Sequence, residues 1–508
     1  MRHFHTGLFA AGLSLALSGP ALAELTVQQA REALFGLYDT MGYKVDIAAE
    51  TESGGTLTLS GVTISFSPAG SAGNMVLDMG TITLSEVSGS VEVTYPDSMQ
   101  IRADFTPPDD DPVNLRLAMD FSEFGSLMSG TPEALRIETG AATMNVRIDS
   151  LLVGGRDIPL NVTVDGAEIE GDYTITRSAS DRRRIEGVSG IGSLAFKGDM
   201  VKPGGGGAFN ADATFTGLGF DFLTDTVAID FTDPQEAMRL LEGDFAFGIE
   251  MTSESSAVNV DFADGADTLK INSSSTGGRF AYDLSKSGFG LDMTQTGVAL
   301  TFSSSEIPFP SISLAYDEVA FGFDVPLAAS GEPQDVDASM ALRGLTVDET
   351  LWAMFDPGQT LPRDPVTVAL ALSGKVMVLV DLLDPETLMQ LENMDAPPML
   401  PVSATLDELL VTFGGAKLTG DGQATLDLAT AKVVNGIPMP VGAVNLKLTG
   451  AFGLMDKLAN MGLIPPDVSM MARGVIGAFA RPVGEDDFES TLEITEEGAI
   501  MANGQRVQ

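Results

Sequence analysis

Carboxylates are the only abundant side chains in this sequence that could do chemistry. The chain has 71 Asp and Glu against 28 Lys and Arg, and Asp261, Asp264 and Asp267 surround a glycine with a spacing loosely like a calcium loop. An EF-hand needs a glutamate at its twelfth position and flanking helices. The twelfth position from Asp261 is Asn272, and strand-like segments flank the loop. The pattern favours ordinary acidic turns, and we predict no metal site.

Histidine and cysteine chemistry is excluded by the predicted processing of the chain. The two histidines, His3 and His5, lie in residues 1–23, which have a basic start, a short apolar run and Ala21-Leu22-Ala23 before Glu24. This layout is typical of a cleavable signal peptide. Since the sequence has no cysteine, the mature chain would lack histidine bases, thiol nucleophiles and disulfides. We expect an exported, periplasmic protein with no membrane span after cleavage.

Other catalytic patterns are weak. Paired carboxylates can hydrolyse glycosides without histidine, but a sugar cleft needs aromatic walls, and the chain has one Trp and six Tyr. No Ser-x-x-Lys arrangement occurs, and the glycine run 204–207 lacks the Lys-Ser/Thr of a phosphate loop. We predict no enzymatic activity, no catalytic residue and no cofactor.

The charge balance limits the partners. A net charge of −43 argues against nucleic acids and anionic membrane surfaces, which a strongly acidic protein repels. Because 44% of the residues are hydrophobic, the chain is nevertheless expected to fold rather than to form a disordered acidic tail.

Alternation of apolar and polar residues is the main structural signal. Leu57 and Leu59 alternate with polar residues, and after Gly61 the apolar positions resume at Val62, shifted by one. Alternation predicts a half-buried strand, and a parity change at glycine indicates a β-bulge. The same shift recurs at Gly80. Short connections between many such segments predict antiparallel neighbours.

A few segments have helical rather than strand periodicity. Thr26 and Gln29 form a predicted capping box at the start of the first one. The predicted helices are 24–44, one opening at Asp233-Pro234, 347–355, one opening at Asp384-Pro385, and a C-terminal helical hairpin over 450–461 and 467–480. The fold class is therefore mainly β: a long curved antiparallel sheet, groove-like or an open barrel or sandwich, with few helices.

The domain organisation depends on the glycine run near residue 205. It divides the mature chain into β-rich halves over 24–203 and 208–508, the second with inserted helices. One continuous fold is the alternative.

Phenylalanine enrichment after residue 200 indicates a broad apolar wall. A sheet that is apolar on one face and has few helices to cover it leaves that face open. For each single phenylalanine, burial in a core is the alternative. The predicted lining of an apolar groove is Phe215, Phe220, Phe222, Phe245, Phe247, Phe262, Phe280, Phe302, Phe321 and Phe323.

Three C-terminal motifs carry a family resemblance. The segment 420–428 (GDGQATLDL), Gly453-Leu-Met with Gly462-Leu-Ile-Pro, and the closing 497–505 (EGAIMANGQ) resemble the domain of unknown function 2125 family of exported bacterial proteins. The closing pattern is also similar to AsmA-like envelope proteins, whose long β-sheet grooves are associated with lipid movement. The first family implies no established activity. AsmA-like proteins usually keep an N-terminal membrane helix, whereas this chain is predicted to be cleaved.

Two functions follow from these observations. The first is a non-catalytic cell-envelope protein that holds a lipid or another apolar ligand in a β-sheet groove. The second is a structural or partner-binding periplasmic scaffold that contacts another envelope protein and has no small ligand.

Overall fold

The structure, a computed structural model, describes residues 25–40, 43–67, 73–107, 110–178, 182–202, 206–227, 240, 243–390, 397–426, 433–434 and 437–507. Within these residues one antiparallel sheet contains 27 strands, and two short strands form a separate pair. The prediction of a mainly β fold built on one long antiparallel sheet is confirmed.

The strands follow the predicted alternation. In the first half of the chain they are β1 Lys44–Ser53, β2 Thr56–Phe66, β3 Asn74–Val87, β4 Ser90–Thr94, β5 Ser98–Phe105, β6 Val113–Ser122, β7 Gly125–Thr131, β8 Ala134–Val153, β9 Arg156–Asp157, β10 Leu160–Arg177, β11 Arg182–Val201, β12 Gly207–Val227 and β13 Ala246–Ser253. In the second half they are β14 Ser255–Asp264, β15 Asp267–Ser275, β16 Gly277–Ser285, β17 Gly288–Ser304, β18 Ile312–Pro326, β19 Gln334–Val347, β20 Val366–Val378, β21 Met399–Phe413, β22 Ala416–Thr425, β23 Val433–Val434, β24 Ile437–Pro438, β25 Val441–Thr449, β26 Arg481–Pro482, β27 Asp487–Ile494, β28 Ile500–Ala502 and β29 Gln505–Arg506.

The helices in the described residues are short. They are α1 Val27–Thr40, α2 Glu349–Phe355, α3 Pro385–Gln390, α4 Ala451–Asn460 and α5 Pro466–Phe479. The predicted capping box is confirmed, because Thr26 N–H donates to Gln29 Oε1 (3.0 Å) and Gln29 N–H donates to Thr26 Oγ1 (3.3 Å). None of the helices in the described ranges combines the length and the apolar character needed to cross a membrane.

Strand order in the sheet mostly follows chain order, with two exceptions of identical design. The long strand β3 pairs with β4 along one half and with β5 along the other. In turn β4 pairs with β7 and β5 pairs with β6. The long strand β8 then pairs with both β6 and β7. The strands β12 to β17 repeat this arrangement. The long strand β12 pairs with β13 and β14, these pair with β16 and β15 respectively, and β17 pairs with both β15 and β16. The sheet therefore contains the same topological unit twice.

A line of residues with left-handed backbone conformation crosses the sheet, at positions where the pairing between neighbouring strands skips one residue. We call this line the crease. It contains Gly61, Gly80, Glu168, Gly217, Gly297 and Gly344, all with φ between 56° and 68°. The predicted parity change is confirmed at Gly61, where the register between β2 and β3 shifts. Because a bulge moves the alternation by one residue, the same face stays apolar on both sides of the crease.

The N-terminal helix covers the first strands. It contacts β1, β2 and β3, and the apolar residues beneath it are almost completely buried. They include Leu57, Leu59, Val62, Ile82, Leu84, Val91 and Val93, each at most 1% exposed. A helix of 14 residues is about 21 Å long, which covers only about four strand spacings of roughly 4.8 Å.

The helical hairpin covers the opposite end of the sheet. The Phe452 ring of α4 lies 4.6 Å from the Phe488 ring of β27, and Asp486 accepts the backbone N–H of Phe452 (3.0 Å). The predicted break at Pro465-Pro466 is confirmed, with Pro466 as the first residue of α5.

Two predictions lie outside the described residues: the signal peptide over 1–23 and the helix opening at Asp233-Pro234. The division of the chain near residue 205 stays a prediction. The strands on either side of it, β11 and β12, pair from Val201 opposite Ala208 to Arg182 opposite Val227.

Candidate functional site

The apolar face between α1 and the helical hairpin is open over its middle strands. Along one row, Phe280 of β16, Met293 of β17, Phe321 of β18 and Met340 of β19 lie opposite one another. Met293 is 47% exposed, Phe321 48% and Met340 52%. Large apolar side chains exposed in a contiguous row are typical of binding surfaces.

The predicted groove phenylalanines occupy several environments. Phe262 and Phe321 are exposed, whereas Phe245 is only 3% exposed and its ring lies 5.7 Å from that of Phe247. The others are half-buried, namely Phe215, Phe220, Phe222, Phe247, Phe280, Phe302 and Phe323. Phe302 pairs with Ile312 on the other side of the crease from Phe321. Their assignment as a ligand lining stays a prediction.

An open pocket of about 470 Å³ lies on this face across β12, β13, β16, β17 and β18. Its size is in the range of small-molecule sites. Three of the predicted phenylalanines line it, Phe215, Phe280 and Phe321, together with Leu218, Met251 and Met293. The structure thus brings these three together and leaves the other seven outside the pocket.

A polar pair lies among these apolar residues. Gln295 lines the pocket two residues after Met293 on the same face of β17, and the Tyr316 hydroxyl donates to Gln295 Oε1 at 3.2 Å. Burial raises the pKa of Tyr316 above its usual value, so the hydroxyl stays protonated at neutral pH. Ser253 adds another hydroxyl to the lining.

These polar residues were not identified from the sequence. Gln295 interrupts the apolar run of β17 that Leu291 and Met293 establish, which is a visible signal. The hydrogen bond to Tyr316, however, depends on the strand register, which places Tyr316 opposite Val298 on the neighbouring strand.

The opposite face of the same strands is polar and carries cross-strand ion pairs. Arg279 donates to Glu250 (3.0 Å) and Asp292 (2.5 Å), and Arg343 likewise contacts Glu318 (3.2 Å) and Glu408 (2.6 Å). Such partly exposed pairs add little stability individually. Their consequence for the site is that these guanidinium groups are held on the face away from the pocket.

The carboxylates considered from the sequence are engaged in similar pairs. Asp261 contacts Lys270 (2.5 Å) and Asp264 contacts Lys202 (2.6 Å). In the described part of the chain, no group of three or more His, Cys, Asp or Glu is placed to hold a metal ion.

Several carboxyl groups on the polar face have perturbed pKa values, and burial raises those of Asp221, Asp283 and Asp324. Burial raises the pKa of Asp283, and burial together with the charges of Asp283 and Asp337 raises that of Asp324. Both lie opposite Gly290 of β17, Asp283 on the adjacent strand β16 and Asp324 on the adjacent strand β18. Asp283 alternates with the apolar-face residues of β16, so it is separated from the pocket by the thickness of the sheet.

A buried ion pair fixes α2 at the end of β19. Asp348 caps the helix by accepting the Leu351 N–H (3.1 Å). Asp356, 1% exposed, accepts from Arg363 Nη1 (2.6 Å) and from the Leu361 N–H (2.9 Å), while the Arg363 guanidinium lies 4.3 Å from the centre of the Trp352 ring. These contacts tie α2 to the segment that leads into β20.

Burial alone would raise the pKa of Asp356. The Arg363 guanidinium and the backbone N–H groups of Thr360 and Leu361 outweigh burial and lower the pKa to about 2. The carboxylate is therefore ionised at every physiological pH.

A second exposed apolar surface lies on α5. One stripe of this helix contains Val468, Met471, Val475 and Phe479, exposed by 41%, 66%, 54% and 41%, at the i, i+3, i+7, i+11 spacing of a single helix face. Arg473 lies away from the stripe and contacts Asp456 (2.6 Å).

The fold and this face define a protein built on one open β-sheet with an uncovered apolar surface. A model of the family described as "Uncharacterized protein conserved in bacteria (DUF2125)" matches residues 250–504, half of the chain. The chain belongs to this family, as the C-terminal motifs predicted. The matched region contains β14 to β28 and so includes Gln295, Tyr316 and most of the pocket.

The other comparisons add little. No curated protein matches the chain. Among solved structures, the ferric citrate transporter FecA in its unliganded form is similar over 91% of this chain and 76% of its own, with 7% identity and a TM-score of 0.16. A likeness at that TM-score carries no argument about fold or function. The similarity to AsmA-like proteins stays a prediction.

Proposed function

We propose that this protein is a non-catalytic, exported cell-envelope protein that holds a lipid or another long apolar molecule on the uncovered face of its sheet. The observation that carries the proposal is the exposure of Met293, Phe321 and Met340, about half of each side chain, in one uninterrupted cross-strand row. A soluble protein gains free energy by covering such a surface, at about 25 cal/mol per Å² of apolar area.

The dimensions of the face suit an extended chain. From β10 to β18 the ladder passes through β11, β12, β14, β15 and β17. Six spacings of about 4.8 Å give roughly 29 Å across the strands. An acyl chain lying across the strands would contact apolar side chains on each of them, with the pocket as its deepest position.

The composition supports a binding protein rather than an enzyme. A mature chain that begins at Glu24 has neither histidine nor cysteine, and the perturbed carboxyls Asp283 and Asp324 lie on the face opposite the pocket. Export to the periplasm is proposed from the signal-like residues 1–23. N-terminal sequencing of protein recovered from the periplasm tests it, and a retained residue 1 would contradict it.

A lipid-extraction experiment tests the proposed binding. Protein purified from its own periplasm is extracted and analysed by mass spectrometry, and binding of an uncharged fluorescent fatty alcohol is measured after delipidation. Met293→Asp is expected to lose both the co-purified lipid and the probe, because it places a charge in the centre of the face.

Val188→Asp is the matched control. Val188 is 47% exposed, like Met293, but lies opposite Asp221 on the polar side of the sheet. This variant should bind as the wild type does. Wild-type protein without lipid and without probe binding, or equal loss in both variants, would contradict the proposal.

A second candidate function is the binding of another envelope protein without a small ligand. The exposed stripe on α5 favours it, because a charge-free helix face is a common docking surface for a partner helix or groove. Crosslinking in cells followed by purification would then give a defined complex that Met471→Asp removes and Met293→Asp leaves intact. The reverse dependence would favour the groove.

A further inference from the structure

The pocket combines apolar lining residues with an uncharged amide, that of Gln295, which is bonded to the Tyr316 hydroxyl beside the lining. Met293 and Phe321 form part of the wall, and Gln295 and Tyr316 form the polar pair, with 3.2 Å between Tyr316 Oη and Gln295 Oε1. A hydroxyl both donates and accepts, and a primary amide has two donors and two acceptor positions. The bond between them uses the one hydrogen of the Tyr316 hydroxyl, which keeps acceptor capacity, while Gln295 keeps both amide donors and an acceptor position.

That capacity is not used by the protein. Among the residues that the structure describes, Gln295 Nε2 has no hydrogen-bond partner, and the Tyr316 hydroxyl contacts Gln295 alone. A polar group on an apolar surface is stabilised when a ligand supplies the missing partner. The pair is therefore suited to the polar end of a molecule whose chain lies on Met293 and Phe321.

The charges around the pocket decide what that polar end can be. The lining contains one charged residue, Arg279, whose guanidinium donates to Glu250 and Asp292 on the other face. No cation in the lining is left to pair with a carboxylate or a phosphate. The net charge of −43 further disfavours an anionic ligand.

We propose that the ligand of this pocket is an uncharged amphiphile, with a hydroxyl, ester or amide head that bonds to Gln295 and Tyr316 and an acyl or alkyl chain on the apolar face. This assignment rests on the proposed function and specifies its ligand class. Gln295 and Tyr316 determine specificity for the head, while the apolar row supplies most of the affinity.

The test compares three probes of equal chain length on the delipidated full chain at pH 8: a fatty alcohol, an ionised fatty acid and an alkane. The alcohol should bind at least about fivefold more tightly than either, since a net hydrogen bond contributes about 1 kcal/mol. Gln295→Leu and the conservative Tyr316→Phe should each reduce alcohol binding by about that factor and leave alkane binding unchanged, which a general loss of folding would not do.

Other outcomes overturn the assignment. Tighter binding of the acid, equal binding of all probes, or variants that keep the preference for the alcohol would contradict the head-group assignment while the proposed function stands. If none of the three probes binds, the proposed function fails and the assignment fails with it.

Discussion

The two topological units of the sheet have the same strand arrangement but differ in what covers their apolar faces. In the first unit, β3 to β8, α1 contacts β3, and Leu84 and Val93 are fully buried in a core that includes residues of α1. In the second unit, β12 to β17, Met293 lies on the same face of the sheet and is 47% exposed. Alternation makes a one-faced strand in both units, so the difference arises from the helix. A helix of about 21 Å that contacts β1, β2 and β3 is too short to cover the second unit as well.

The largest expected effect is at the face that α1 covers. Leu59→Ala removes a fully buried side chain beneath α1 and should lower the free energy of unfolding by about 2–5 kcal/mol. Met293→Ala, on the open unit, should lower it by less than about 1 kcal/mol, since much of the side chain already contacts water. Urea unfolding measures both. Similar losses would mean that the two faces are equally covered.

A smaller effect concerns the crease that both units share. Gly61 and Gly80 have nearly the same φ, 64° and 63°, but a methyl group at Gly61 would lie 2.8 Å from the Ala48 side chain, while none lies within 4 Å of one at Gly80. We expect Gly80→Ala to cost about 1 kcal/mol from backbone strain alone.

Gly61→Ala should cost more than Gly80→Ala, by about 1 kcal/mol or more, because overlap adds to strain. Thermal unfolding of the two variants gives the comparison. Equal stability losses would show that contact between β1 and β2 at the crease is not as close as described.

The last expected effect is pH-dependent and concerns α2, next to the open region. The pKa of Asp356 is about 2 in the folded protein and about 3.9 in an unfolded chain. A depressed folded pKa stabilises the fold above the unfolded value, and this stabilisation is lost as pH falls through the folded value. Asp356→Asn should therefore lower the urea midpoint at pH 7, and its difference from wild type should shrink between about pH 4 and pH 2.

The control for this experiment is Asp335→Asn. Asp335 is 79% exposed and contacts Lys375 at 2.6 Å, a surface pair worth at most about 1 kcal/mol. If the difference in urea midpoint between Asp356→Asn and wild type stayed constant over this pH range, it would contradict the role of the ionised carboxylate.

Local signals in the sequence predicted the elements well. Alternation around Leu57 and Leu59 has a period of two residues, which only a strand satisfies. The parity changes at Gly61 and Gly80 identified two positions of the crease, because glycine readily adopts positive φ. The capping box at Thr26 and the proline break in the C-terminal hairpin located helix ends, because a helix end depends on residues within one turn of it.

Coverage and register could not be predicted in this way. Leu84 and Met293 follow the same alternation, but Leu84 lies in the core that includes α1 and is fully buried, while Met293 is 47% exposed. Phe245 was assigned to the groove with Phe321, yet it is 3% exposed against 48%. The pairing of Gln295 with Tyr316 joins residues on different strands, so it depends on a register that no single segment encodes.

The difference in coverage can be measured directly because the chain has no cysteine. Single-cysteine variants Met293→Cys and Leu84→Cys, compared for their rates of reaction with a water-soluble maleimide, report access to the two faces. We predict rapid labelling at position 293, slowed when a fatty alcohol is bound, and labelling at position 84 only at the rate of unfolding. Equal protection of both thiols in the delipidated protein would contradict an open apolar face, and with it the proposed binding function.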